Sequence, residues 1–473
     1  MTDIVPTGLD EQLARDVTVD IAASKGRDRP LTWRFFLFMA PVLFDTVLQS
    51  LSGTIGNIYV GRLLGPHDLA AASAFYPMFL VFISCAVGLG TGASILVGQN
   101  WGAGDQGEAR IVASAALGVA FALGLVICVF GQVSIRPLLV LFGTPADVLD
   151  HAVRYASAIL MGAPGLILLV VTAIILRGAG DSVRPLVMMI VQILTSLLLT
   201  PILIEGRFGA PALGVAGSAA AAVIGWVVAL IVVGIWLRLS RHALAPDLEM
   251  TRQIFAPWRV LRPILQLGFP TMVEIMTMGV AEIALVGRIN SFGSDMTAAY
   301  GLFVQTLTYI EYPGMAVGIT VSVLSAHAIG ARDEKEARAV LRLGFCVALA
   351  LAGGLAAFVT LDPALIASLF TADEHVIALA SHAFRVVMWS ATPLALAGVL
   401  GSAMRASGDA VGPMALLLGA IICVELPAGY IAAHLYGASG VWFGYPASFS
   451  AMFIFTALYW AIRWRHRSLT PIM

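Results

Sequence analysis

Leu176-Arg-Gly-Ala-Gly-Asp-Ser-Val-Arg-Pro185 recurs 228 positions downstream as Met404-Arg-Ala-Ser-Gly-Asp-Ala-Val-Gly-Pro413, with Arg, Gly, Asp, Val and Pro in register. The chain is a duplication. At the same offset Gly90, Ser94, Leu96, Gly102, Ala103, Asp105, Glu108, Ala109 and Arg110 meet Gly318, Ser322, Leu324, Gly330, Ala331, Asp333, Glu336, Ala337 and Arg338. Register slips only toward the ends, where Val60-Gly-Arg62 answers Val286-Gly-Arg288 at 226 and Gly214-Val-Ala-Gly217 answers Gly437-Ala-Ser-Gly440 at 223. A repeat of roughly 230 residues is too long for a solenoid unit, so two whole half-proteins are joined.

Charged residues occupy 12% of the 473 positions and apolar residues 59%, with a mean hydropathy of +0.92. A soluble domain carries about 25% charge. The chain therefore reads as an integral membrane protein, and its net charge of −1 says less than where the charges fall. They gather in short clusters separated by about twenty apolar residues, the length that crosses a hydrocarbon core about 30 Å thick. Twelve spans follow, at 36–60, 70–97, 112–134, 155–176, 185–205 and 214–236, then 263–286, 299–328, 340–361, 382–404, 412–435 and 438–462. The expected fold is an all-α membrane protein with two six-helix bundles, related by a parallel internal repeat, around a central cleft.

Of the 27 Lys and Arg, 21 fall on the side of both termini and the 2–3, 4–5, 6–7, 8–9 and 10–11 connections. Excess basic charge marks the cytoplasm, which places both ends inside a plasma (inner) membrane. Six spans per half leave the halves in the same orientation, related by an axis along the membrane normal. The expected organisation is a cytoplasmic tail 1–33, an N-lobe 34–237, a linker 238–262, a C-lobe 263–462 and a tail 463–473. No apolar stretch with a cleavage signal opens the sequence, so no removable signal peptide is expected. Cys85, Cys128, Cys346 and Cys423 all fall inside spans, which argues against a disulfide framework or a zinc site.

Five acids lie within the spans: Asp45, Glu274, Glu282, Glu311 and Glu425. A charged side chain at mid-bilayer costs about 3 kcal/mol, and no matching basic set is evident inside the spans. Asp45, Gln49, Ser52 and Gly56 follow Pro41 at helical spacing on one face, which looks inward to protein or water; packing against a neighbouring helix is the plainer alternative. In the eighth span Gln305, Thr308 and Tyr309 share a face. Unpaired carboxylates in such surroundings take up protons or a sodium ion, the chemistry of a coupling site.

Enzymatic equipment is missing. There is no phosphate loop, no His-Glu-x-x-His and no Gly-x-Ser-x-Gly elbow. Gly88-Leu-Gly90-Thr-Gly92 lacks the preceding strand of a dinucleotide loop and reads as close helix packing. Neither a catalytic residue nor a fixed metal site is expected, nor a cofactor beyond H+ or Na+ as coupling ion. The basic 6–7 linker, with Arg238, Arg241, Arg252, Arg259 and Arg262, suits membrane lipids, although topology alone accounts for it.

Residues 35–462 resemble the multidrug and toxic compound extrusion (MATE) transporters. The likeness rests on Pro41, Val60-Gly-Arg-Leu-Leu-Gly65, Gly98-Gln-Asn-Trp-Gly-Ala-Gly-Asp105, the opening stretch 176–185 and Leu213-Gly-Val-Ala-Gly-Ser218. It implies a V-shaped pair of lobes exchanging drugs or toxic metabolites for sodium or protons. The chain departs from the family pattern at several places. Asn57 stands for the first-helix aspartate, with Asp45 three turns earlier, and helix ten reads Ser390-Ala-Thr-Pro393 where many sodium-coupled members carry an aspartate. The family's seventh-helix glutamate falls one turn from both Glu274 and Glu282, and Glu425 replaces a frequent basic residue.

The expected activity is export of cationic or amphipathic organic compounds from the cytoplasm by antiport. Asp45, Glu274 and Glu282 are expected to couple the ion, possible transient Na+ included, with Gln49, Asn57, Gln305, Tyr309, Glu311 and Glu425 lining the substrate path. The expected partners are small-molecule substrates and lipids, with no nucleic acid and no obligate protein partner, the chain acting as a monomer. A lipid-linked glycan flippase of the same superfamily is the alternative within transport, disfavoured by the acidic spans, and a membrane-embedded enzyme is the alternative outside it.

Overall fold

Gly and Pro punctuate the apolar runs, and that punctuation sets where the helices begin, bend and end. The computed structural model describes residues 29–247, 250 and 257–472. Most of the expected N-terminal tail and part of the expected 238–262 linker lie outside the described residues. Six helices make the first half: α1 (Leu31–Leu64), α2 (Tyr76–Gly102, entered through the short helix Pro66–Ala74), α3 (Gln106–Leu141), α4 (Ala146–Met161 and Ala163–Gly178), α5 (Val183–Glu205) and α6 (Val215–Leu239). The second half repeats them as α7 (Trp258–Asn290), α8 (Ser294–Gly330), α9 (Glu334–Leu361), α10 (Glu374–Val387 and Ala391–Ala406), α11 (Val411–Ala420 and Leu426–Tyr436) and α12 (Gly444–Ile462).

Twelve crossings result. The two pieces of α4 meet at 53°, with Gly162 between them and Pro164 two residues on, where a missing amide donor makes a bend cheap. The apolar run Val411–His466 is 56 residues long, far beyond one crossing, and it breaks at Gly437, whose φ of +65° favours glycine. Residues Gly437–Phe443 form a 3₁₀ turn, so the last span begins at Gly444 and not at 438. Several helices outrun the expected spans by two turns or more, α3 most clearly. Hydropathy registers only the apolar middle of a helix whose charged ends continue into headgroups or water.

The bundles exchange their first helices at one end, called here the basic end because the arginine-rich connections lie there. Phe35, Phe38, Met39 and Val42 of α1 are buried in one cluster with Val317, Val321 and Leu324 of α8 and Val340 of α9. Val260, Ile264 and Leu267 of α7 are buried in the opposite cluster, with Leu89, Ala93 and Leu96 of α2. Charge follows the same exchange: Arg34 of α1 reaches Glu336 of α9 at 2.6 Å, and Arg259 of α7 reaches Glu108 of α3 at 3.4 Å. α2 and α7 touch backbone to backbone, because a Cβ on Gly88 would lie 2.7 Å from the Gly268 carbonyl. Small residues permit that approach, and in lipid such van der Waals packing is what holds helices together.

Candidate functional site

Four of the five residues matched between the two decapeptides have a job that the geometry makes explicit. Gly180 and Gly408, at φ +88° and +94°, turn the chain out of α4 and α10 in the left-handed region. Asp181 then accepts the amides of Val183 and Arg184 at 3.1 and 3.0 Å, and Asp409 accepts that of Gly412 at 3.1 Å, so each aspartate starts the next helix. Pro185 and Pro413 sit in the first turns of α5 and α11, where an amide donor is not needed.

The arginines point back into the bundles. Arg177 pairs with Asp45, and Arg405 pairs with Glu274 at 3.0 and 3.2 Å while donating to the Ser402 hydroxyl at 3.3 Å. Asp45 and Glu274 each stand four residues after a proline, Pro41 or Pro270, so one ion pair has been copied with the repeat. Both acids are buried, at 8% and 7% exposure. The expectation that no basic side chain neutralises the span acids is therefore corrected for these two. Hydropathy assigned Arg177 and Arg405 to the 4–5 and 10–11 connections, but a long side chain on the last helical turn reaches a full turn into the bundle.

Glu282, Glu311 and Glu425 make a separate group in the second half. Among the described residues no ion pair holds any of them. The charge of Glu282 is felt at Glu311 and at Tyr76, Tyr300 and Tyr445, and that of Glu425 at the same two later tyrosines. Tyr300 and Tyr445, whose hydroxyls lie 3.1 Å apart, lie in the neighbourhood of both Glu282 and Glu425. Tyr76 belongs to α2, so Glu282 lies where the two bundles face each other. It is exposed, Glu311 is half-buried and Glu425 is buried. Glu425 closes the π-helical turn Ile421–Glu425, and Pro427 follows it in the next helix. An inserted residue of this kind re-aims side chains and is common at functional sites. The first half carries Gly56 opposite Glu282 at the local offset of 226, Ile83 opposite Glu311 at 228, and no acid among residues 197–202, which face Glu425 as the offset drifts from 228 to 223, so these acids belong to one lobe only.

Of the remaining path residues, Gln49 and Tyr309 are exposed and Gln305 is half-buried, one turn from Tyr309 on α8; the side chain of Asn57 lies outside the described part. Among the described residues no group of three His, Cys, Asp or Glu is close enough to hold a metal ion.

At the basic end a second pair of repeat-related contacts joins the lobes. Gln99 of α2 donates to the Ala406 carbonyl at 2.8 Å, and His327 of α8 donates to the Gly178 carbonyl at 2.7 Å. Donors and acceptors are each 228 positions apart. Between them Gly102 lies against the His327 backbone and Gly330 against that of Gln99, too close for any Cβ. None of these four polar partners stood out by residue type, and the offset that aligns Gln99 with His327 was the available signal. Below them, outside the spans, His242 stacks on Trp101 with ring centroids 5.7 Å apart. Burial, with the Arg184 charge adding to it, lowers its pKa from 6.5 to about 4.

The MatE family profile matches residues 41–202 and 270–431, once in each half. The probable multidrug resistance protein YoeA of Bacillus subtilis is 33% identical over 450 residues, covering 94% of this chain and 97% of that protein. An FAD transporter of Shewanella oneidensis is 26% identical over 403 residues, covering 85% and 88%. A crystal structure of a mutant of the Vibrio cholerae MATE transporter VcmN superposes with a TM-score of 0.84 over 92% of this chain and 97% of that one, at 21% identity. With a duplicated fold, a profile match in each half and a relative matched over nearly its whole length, the chain belongs to the MATE family of multidrug efflux transporters.

Proposed function

We propose that this chain is a secondary active antiporter that exports organic cations across the inner membrane in exchange for H+ or Na+. The observation that carries the reading is the C-lobe group Glu282, Glu311 and Glu425, three acids held by no arginine among the described residues, with tyrosines of both lobes in their neighbourhood. A carboxylate in a site of low polarity attracts a cation, and a proton or sodium ion at the same oxygens displaces it, so the two passengers compete for one charge. Gln305 and Tyr309, one turn apart on α8, are the polar residues of the path on the helix that carries Glu311, and Gln49 is its exposed polar residue on α1. The basic end faces the cytoplasm, by the excess of Lys and Arg there, and a single chain suffices.

Asp45 and Glu274 act through their arginines in this scheme. Protonation or sodium binding at either acid competes with Arg177 or Arg405, loosening α1 from α4 or α7 from α10. Coupling is then a change in which cation each buried acid holds, and the energy is the difference in affinity between two arrangements.

The test is purified protein in proteoliposomes, with an imposed pH or sodium gradient and a fluorescent cationic dye. Dye movement driven by one of the gradients supports the reading. Equal movement without any gradient, or none with both, contradicts it. The FAD-transporting relative supplies an anionic control, and the acidic C-lobe predicts that FAD is not carried.

A further inference from the structure

We infer that the segment 464–472, which follows α12, is a strap across the basic end, and that Gln99 is the gate residue on which it closes. The inference rests on the transport reading, since a gate has meaning only where the lobes must part. The segment first seats itself on the C-lobe. Trp464 is buried in the cluster of α1 and α8–α10, and its indole N–H donates to the Ser407 hydroxyl at 2.8 Å. Arg467 reaches Asp409 at 3.4 Å, Leu469 is buried in the same cluster, and its amide donates to Glu334 Oε1 at 3.1 Å.

Then the chain crosses the seam. Ile472 packs against the N-lobe cluster while its side chain lies against Gly408 of the C-lobe, 3.3 Å from where a Cβ would stand. Its amide donates to Gln99 Oε1 at 2.8 Å. Gln99, 2% exposed, therefore spends both ends of its amide on the closure: Nε2 on the Ala406 carbonyl and Oε1 on the strap. Parting the lobes here strands a buried amide, a carbonyl and an apolar side chain together, and each unsatisfied polar group resists. Among the described residues the connection after α6 shows no equivalent strap: Leu244 and Met250 are buried in the N-lobe cluster.

The test uses full-length protein with Cys85, Cys128, Cys346 and Cys423 replaced, and spin labels at Gln106 and Lys335, exposed positions on the basic-end turns of opposite lobes. Ile472→Pro removes the donor to Gln99, Ile472→Asp removes the apolar contact, and Ile472→Val keeps both; position 472 lies outside every helix. A longer inter-label distance component in the Pro and Asp variants, with the parental distance kept in Val, is the expected result. The parental distance in either the Pro or the Asp variant, or a longer component in Val as well, overturns the strap. Dye efflux is followed on the same preparations. Parental protein that moves no dye under either gradient overturns the transport reading instead, whatever the labels report.

Discussion

Single residues divide here into acids held by arginine and acids held by none, and substitution separates them. Glu282 is exposed, so Glu282→Gln leaves the thermal unfolding midpoint in detergent within a degree or two of the parent, about what a surface change of ±0.5 kcal/mol allows. Gradient-driven dye efflux should fall about tenfold or more, an effect of about 1.4 kcal/mol. Arg177→Gln does the opposite: it abandons Asp45 in a buried site at a cost of about 3–5 kcal/mol, seen as a lowered midpoint. Adding Asp45→Asn removes the stranded charge and restores much of the loss, the coupling a double-mutant cycle reports. His242 supplies a pH test. Its folded pKa of about 4 lies below its ordinary 6.5, and the Leu244 amide donates to Nδ1 at 3.1 Å, which requires that nitrogen unprotonated. Below pH 6.5 the unfolded chain binds the proton more readily, so this contribution is full above pH 6.5 and is lost as pH falls toward 4. Midpoints between pH 7 and 4.5 should decline less in His242→Gln than in the parent. At this scale the acids were legible because charge in an apolar span is rare; Arg177 and Arg405 were not, because a side chain's reach does not show in hydropathy.

Helices carry the next set of consequences. The α2–α8 crossing at Gly102 and Gly330 admits no Cβ, and the obstructing atoms are backbone, which cannot rotate away. Gly330→Ala should force the helices apart, lower the unfolding midpoint and raise the labelling of a cysteine introduced at the basic end; an unchanged midpoint would show that the crossing tolerates more room than the geometry allows. Helix number, order and much of their extent followed from apolar run length. Where run length failed, a local device intervened: the bend at Gly162, the 3₁₀ turn after Gly437 and the π-helical turn before Leu426. Small residues near α2's end were readable as close packing, but their partners on α7 and α8 depend on helix rotation, which composition does not set.

The whole molecule is a duplication made unequal. The repeat doubled the ion pairs, the capping aspartates and the lobe-to-lobe hydrogen bonds; the 228-residue offset revealed two halves, and six spans in each made the bundles parallel. Glu282, Glu311 and Glu425 then appear in one copy only, and the strap after α12 has no counterpart among the described residues after α6. Symmetry gives the two lobes matching ion pairs and matching lobe-to-lobe hydrogen bonds, while in the proposed mechanism the unmatched acids give one lobe the charge on which a passenger is held. The central claim is that those three glutamates hold the cation, and equilibrium binding of a fluorescent cationic dye to purified protein tests it most directly. Affinity should fall as pH drops or sodium rises, and Glu282→Gln/Glu311→Gln/Glu425→Gln should lose both the dye and its ion dependence. Dye binding by that variant at parental affinity, still sensitive to the same ion, would contradict the claim.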